Sequence, residues 1–260
     1  MNKTYFYPYK YINLKTLLPA LREYLSDIDK SAFDKYLDLV KNVVTFKICL
    51  DLIYTYPELE KRISHFKKDA IFNAAAVGCY DELLWAYSRT GKIKNVYRGL
   101  FVKTDADVMD EDIINYKYRV HNDIRIGYWF GKNFTYHLGL IDKPDEYSIV
   151  SNATVLWRSK RNLHSKRERS DQEMFGHKIT LRSPIVPITE NNYKVLCVID
   201  YTTTYRRAFY SSEHIDVEMD VAALREYLCG IPRSAFKQYE DLCESKKLLN
   251  EWLDRIYGVI

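Results

Sequence analysis

The stretch ALREYLSDIDKSAFDKYLDL, residues 20–39, returns almost intact as ALREYLCGIPRSAFKQYEDL, residues 223–242. The register runs on without a gap, so that Leu50, Asp51, Ile53 and Tyr54 recur as Leu253, Asp254, Ile256 and Tyr257. Over residues 20–54 and 223–257, 17 of 35 positions are identical, where ordinary residue usage gives roughly two by chance. The chain therefore carries one unit twice, near its two ends.

Each copy reads as a short helix (Leu17 to Leu25; Val221 to Leu228), a turn (SDID; CGIP) and a longer helix from Ser31 or Ser234. Pro232 supplies the fixed φ tolerated near a helix start. On that reading Phe33, Tyr36, Leu39, Leu50, Ile53 and Tyr54 share one apolar stripe, as do Phe236, Tyr239, Leu242, Leu253, Ile256 and Tyr257. Two such helical hairpins can dock on each other within a chain or pair in a homo-oligomer, and both arrangements stay open. PELEKRISHFKKDAIFNAAAVG and DELLWAYSRTG extend the first helical region to Gly91, a helix stop.

From Asn95 the pattern changes. NVYRGLFV, RIGYWFG, FTYHLGLI, YSIVSNATVLW, KITLRSPIVPI and YKVLCVIDYTTTY are short runs rich in Tyr, Val, Ile and Thr between turn residues, the pattern of five or six strands. Short polar connections such as TENN favour antiparallel pairing. The expected class is α+β: a helical bundle with duplicated hairpins flanking a central antiparallel sheet, divided into residues 1–94, 95–215 and 216–260.

The net charge of +4 is too mild to argue for a polyanionic partner by itself. No apolar run approaches the roughly 20 residues that span a bilayer, and the N-terminus lacks a signal-peptide core. Five cysteines without paired spacing suit a reducing compartment. The expectation is a cytoplasmic protein, with a periplasmic fragment of a membrane sensor as the other case.

The run ITLRSPIVPITENNYKVLCVIDYTTTYRRAF, two apolar segments around a polar turn with the second ending at Asp200, resembles the last hairpin of Cache and PAS-like sensor domains. The resemblance covers about residues 95–215. It implies a PAS-like sheet and a non-enzymatic small-ligand sensing module without a cofactor, signalling through its flanking helices. It also implies a pocket in which Asp200 binds a cationic group, with Tyr128, Trp129, Tyr136, Trp157 and Arg158 as aromatic and basic residues closing over the ligand.

Two other chemistries are visible. LFVKTDADVMDEDI places Asp105 and Asp107 after an apolar strand, resembling the DxD motif of glycosyltransferases, where paired carboxylates hold a divalent metal; the nearly all-helical residues 11–90 depart from the nucleotide-binding domain that fold needs. RSKRNLHSKRER, residues 158–169, is a basic loop, and LREYLCGIPRSAFKQYEDL has the outline of a helix-turn-helix; together they suggest nucleic-acid binding. The six histidines never fall at i, i+4 or beside a cysteine, so no zinc motif is present.

Overall fold

The structure, a computed structural model, describes residues 14–154, 169–206 and 216–258. It divides into two compact units, residues 1–109 and 110–260. One copy of the repeat falls in each, so each copy belongs to the core of its own unit.

In unit 1, α1 (Leu14–Tyr24) leads through a turn to a 3₁₀ segment, Lys30–Leu39, and then to α2 (Val43–Ser64). Short α3 (Ala74–Val77) and α4 (Asp81–Ser88) follow, and Gly91, in the left-handed region, ends the helical part as expected. The core forms where Leu52, Tyr56, Leu59 and Ile63 of α2 meet Leu84 and Tyr87 of α4. NVYRGLFV is a hairpin instead of one strand: β1 (Ile93–Tyr97) and β2 (Leu100–Lys103) turn at Arg98 and Gly99. Phe72 exchanges two backbone bonds with Phe101, of 3.0 and 2.9 Å, which ties this hairpin to the helices.

Unit 2 holds α5 (Asp110–Tyr118), a two-residue ribbon of β3 (Val120–His121) and β4 (Ile124–Arg125), and a four-stranded sheet. Asn122 and Asp123 both take positive φ, the requirement of the tight turn joining β3 to β4. The sheet is made of β5 (Gly127–Trp129), β6 (Tyr147–Ser151), β7 (Arg169–Met174) and β8 (His177–Arg182) in the order β5-β6-β8-β7. Its inner pair, β6 and β8, runs parallel, so the sheet is mixed and the wholly antiparallel expectation is corrected. Gly127 is obligatory, since a Cβ there would lie 2.1 Å from the Tyr118 carbonyl oxygen and 2.7 Å from that of Val150.

Two expected strands are helices. FTYHLGLI contains α6 (Lys132–His137). YKVLCVID is α7 (Tyr193–Asp200), which widens into a π turn over Tyr201–Tyr205. A short apolar run bounded by polar residues suits a buried strand or a buried helix equally. Here Val195–Asp200 are buried without a break, and TENN acts as a helix start: Thr189 accepts from the amides of Asn192 and Tyr193. In the π turn, Thr202 and Thr203 donate to the carbonyls of Val198 and Ile199 at 2.8 and 2.7 Å, occupying acceptors that the wider ladder leaves open. The protein is thus mixed helix and strand, with small sheets.

The repeat itself differs from a helical hairpin. The second copy is α8 (Val217–Tyr227), a 3₁₀ segment Arg233–Leu242 and α9 (Lys246–Tyr257), so the expected long helix is broken at the same place in both copies. Phe33, Tyr36 and Leu39 recur every third residue, and a 3₁₀ turn eclipses i and i+3. Backbone at Val40 and Cys243 is extended, and Asn42 and Ser245 then cap the following helix, accepting from the amides of Thr45 and Leu248. The tertiary ties repeat as well. Tyr54 Oη donates to the Ile28 carbonyl at 2.7 Å, and Tyr257 Oη to Ile231 at 2.7 Å. Lys30 pairs with Asp51, and Arg233 with Asp254 at 2.5 Å.

The copies differ in what covers them. Phe236 is fully buried, whereas Phe33 is only half-buried and the Lys30–Leu39 segment buries nothing completely. Phe236→Ala should destabilise the protein by about 3–5 kcal/mol and Phe33→Ala by less than half as much. Chemical denaturation followed by circular dichroism measures the difference.

Candidate functional site

Tyr128 of β5 and Asp200, at the facing end of α7, meet in unit 2, while Trp129, the next strand residue, presents its ring to the other face. Tyr128 Oη donates to Asp200 Oδ2 at 2.6 Å, with both residues buried. The next residue, Trp129, stacks on His137 at 5.3 Å and on Tyr147 at 5.7 Å, and the Arg119 guanidinium lies 4.3 Å from its ring centroid. Tyr136, on α6, is half-buried beside His137 and does not reach Asp200 through any described contact. Trp157 and Arg158 lie outside the described residues, as does the basic run apart from Arg169 at the start of β7.

The Trp129 and Tyr147 rings are buried, while His137 stacks on Trp129 from an exposed position at the edge of the cluster. Burial draws the Arg119 guanidinium down to about 10, with Arg125 adding repulsion. Its Nε and the Trp129 indole nitrogen have no hydrogen-bond partner among the described residues. A few residues away, the Arg206 guanidinium pairs with Asp220, which also accepts from Tyr201 Oη at 3.1 Å. Desolvation raises the Asp220 carboxyl and the arginine opposes it. Removing one member of such a pair strands a buried charge, so this network is a structural tie between the π turn and α8.

An open site lies in unit 1, where the sequence reading had placed none. A cleft of about 290 Å³ runs along α2, where Asp51, Thr55, Glu58 and Arg62 fall on one side at i, i+4, i+7 and i+11. Leu59 and Leu83 line it as apolar walls, and Cys79 and Tyr80 close the far side. At one end Asp51 accepts from Tyr80 Oη at 2.5 Å and from the Lys30 ammonium. Against a desolvation that would raise it, these donors hold the Asp51 carboxyl below its ordinary value. At the other end Arg62 donates to the carbonyls of Val77 and Gly78 at 3.2 and 3.0 Å and to Glu58 at 3.1 Å. Gly78 has φ +74°, and a Cβ there would lie 2.9 Å from Arg62 Nη1. Any larger residue would therefore displace the arginine that closes this end.

Asp51 had a signal in the sequence, since it recurs as Asp254 in a stretch of the following helix where few other residues do. Tyr80, Arg62 and Gly78 had none, because the second copy ends before their counterparts. Asp105 and Asp107 are exposed, and Asp107 uses its amide to bond Asp69. No group of side chains among the described residues converges to hold a metal ion. The segment that would serve as a recognition helix in a helix-turn-helix is the 3₁₀ run Arg233–Leu242. Among the described residues no helix is long and apolar enough to cross a membrane. No family model matches the chain, and no curated protein matches it.

His137 offers a direct check on the Trp129 cluster. Desolvation, and then the Arg119 charge, lower its imidazole to about 4 from 6.5. The unfolded chain therefore binds more protons between pH 6.5 and about 4, and stability falls as pH falls through that window. NMR titration should give a His137 midpoint well under 6, and His137→Gln should flatten that part of the stability profile.

Proposed function

We propose that the protein is a non-enzymatic small-ligand binding module whose site is the α2 cleft of unit 1, and whose ligand carries an amine on an apolar body. The carrying observation is Asp51: its carboxylate sits at the mouth of a partly apolar cleft, shared between Tyr80 on the cleft wall and Lys30 on the 3₁₀ segment. A concave apolar site with a few placed polar groups is what small-molecule capture requires. A ligand amine would take the place of Lys30 on Asp51, keep the Tyr80 bond, and lay its apolar part against Leu59 and Leu83. Release of Lys30 would loosen the 3₁₀ segment, giving occupancy a mechanical readout.

This reading keeps the ligand class and the aspartate–cation chemistry expected from sequence and changes the residues. In unit 2 Asp200 is 1% exposed and bound to Tyr128, a poorer starting point for exchange with solvent. Catalysis has little support at the cleft. Burial pushes the Cys79 thiol up to about 11, Arg62 opposing, so it is not a thiolate at neutral pH.

Thermal-shift screening of aliphatic and aromatic amines and amino acids tests the proposal. A ligand at 100 times its Kd should stabilise the fold by about 2.7 kcal/mol. Asp51→Asn should abolish the shift. Lys30→Met, which removes the competing ammonium, should strengthen it. Absence of any hit, or a shift that survives Asp51→Asn, would overturn the assignment.

A further inference from the structure

Arg119, the residue that follows α5 in unit 2, carries a charge that no described acid neutralises. Its guanidinium lies 4.3 Å from the centroid of the Trp129 ring, and its Nε is buried although the residue as a whole is half-buried. Among the described residues it has no ion pair, and its one side-chain hydrogen bond runs from Nη1 to Asn115 Oδ1, a neutral acceptor, at 2.5 Å. The charges around it are already matched. Glu111 holds Lys143 at 2.5 Å, and Arg125 is held by Glu190 at 3.3 Å. Cys197 and Tyr227, which also act on Arg119, are kept protonated by burial and supply no negative charge. A guanidinium stays ionised at neutral pH, so a full positive charge stands where water solvates it poorly. The face of an indole offsets that only in part.

The edge of this guanidinium that remains is one that recognises carboxylates. With Nη1 turned to Asn115, Nε and Nη2 form the fork that takes two carboxylate oxygens in parallel bonds. Beside it the Trp129 indole N–H is also buried and also lacks an acceptor. Buried donors without partners call for an ion or a bound molecule, and here two belong to groups stacked on each other. We infer that Arg119 and Trp129 form a binding site for a small monocarboxylate, seated on the Nε and Nη2 edge of Arg119 and accepting from the Trp129 indole N–H. One unmatched positive charge stands there, so a monoanion neutralises the site and a dianion leaves a buried charge of the other sign. The pair is within reach of solvent, because His137, stacked on the same indole at 5.3 Å, is exposed. The strand end is fixed in advance: Cys197 Sγ donates to the Trp129 carbonyl at 3.3 Å, which holds the indole's backbone in place before a ligand arrives. The site is separate from the Tyr128–Asp200 pair, which lies on the other face of β5, and it does not rest on the Asp51 cleft of unit 1.

The indole proton gives a direct readout in the full chain. In nitrogen-edited NMR spectra at neutral pH, the Trp129 indole N–H, identified by its loss in Trp129→Phe, should move downfield and saturate as acetate or benzoate replaces chloride at constant ionic strength. Affinity is read separately from the fluorine signal of trifluoroacetate, a monocarboxylate of the same shape as acetate. Trp129→Phe keeps a ring under Arg119 and removes only the donor, and it should weaken that affinity by roughly tenfold. Arg119→Lys keeps the charge and loses the fork, and should weaken it by roughly tenfold or more. Arg119→Met should abolish binding. Circular dichroism verifies the fold of each variant, and the two conservative changes carry the test if Arg119→Met does not fold. An indole proton unmoved by carboxylate up to about 100 mM would overturn the assignment, since water or chloride would then satisfy the pair. So would tighter binding of sulfate than of acetate, or trifluoroacetate affinity unchanged in Arg119→Lys.

Discussion

Both halves of this molecule depend on one small clasp. A tyrosine near the end of a helix donates to a carbonyl in the turn 26 residues earlier, Tyr54 to Ile28 and Tyr257 to Ile231. Beside it a basic residue opening the 3₁₀ segment reaches an acid on the same helix, Lys30 to Asp51 and Arg233 to Asp254. A 3₁₀ run of ten residues is long for that geometry and weak by itself. Fastening its start to the following helix while a capping side chain restarts the chain at its end keeps the segment folded back on the helix. The clasp accounts for part of the shared sequence: the Ile of the turn, the basic residue that opens the 3₁₀ segment and the Leu-Asp-x-Ile-Tyr signature all serve one contact.

How much of this could be read from residues alone divides along a physical line. The duplication was legible because identity needs no structure, and the 3₁₀ form was written in the spacing of Phe33, Tyr36 and Leu39. Treating that row as part of a long α-helical stripe overlooked both its period and the caps at Asn42 and Ser245. Gly91 was readable as a helix stop because only local backbone geometry was at stake. α7 was not readable in the same way. Six successive residues, Val195–Asp200, are buried, so they carry no amphipathic period, and the surroundings that make it a helix come from β5, the 3₁₀ segment Arg233–Leu242 and Tyr227 of α8. The parallel pairing of β6 with β8 is a tertiary outcome for the same reason. At the site, Asp51 was visible through its twin, while Arg62, Gly78 and Tyr80 meet it only once the chain has folded back across α2.

Divergence between the copies has gone in opposite directions. The second has become core: its aromatic face is sealed by α7, and Arg225 caps the end of α9 by donating to the carbonyls of Arg255 and Ile256 at 2.8 and 2.7 Å, a cation placed where the helix dipole favours it. In the first copy the equivalent arginine, Arg22, instead lies over the Tyr54 ring at 5.1 Å, and α2 continues well beyond the point where α9 stops. That extension carries Thr55, Glu58, Leu59 and Arg62, without which there would be no cleft. The same packing unit is thus buried in one copy and leaves accessible surface in the other.

Lys30 links the cleft to the 3₁₀ segment, and its exposure limits how much that link can carry. Lys30 opens the segment that displays Phe33, Tyr36 and Leu39, and it ends on the acid that lines the cleft. A ligand that displaces it removes one anchor of the segment and leaves the Tyr54 bond to Ile28 in place. The Lys30 side chain is 49% exposed, and ion pairs so open to solvent contribute about 0.2–1 kcal/mol. A ligand amine that took the place of Lys30 would therefore release the segment at a cost of no more than about 1 kcal/mol.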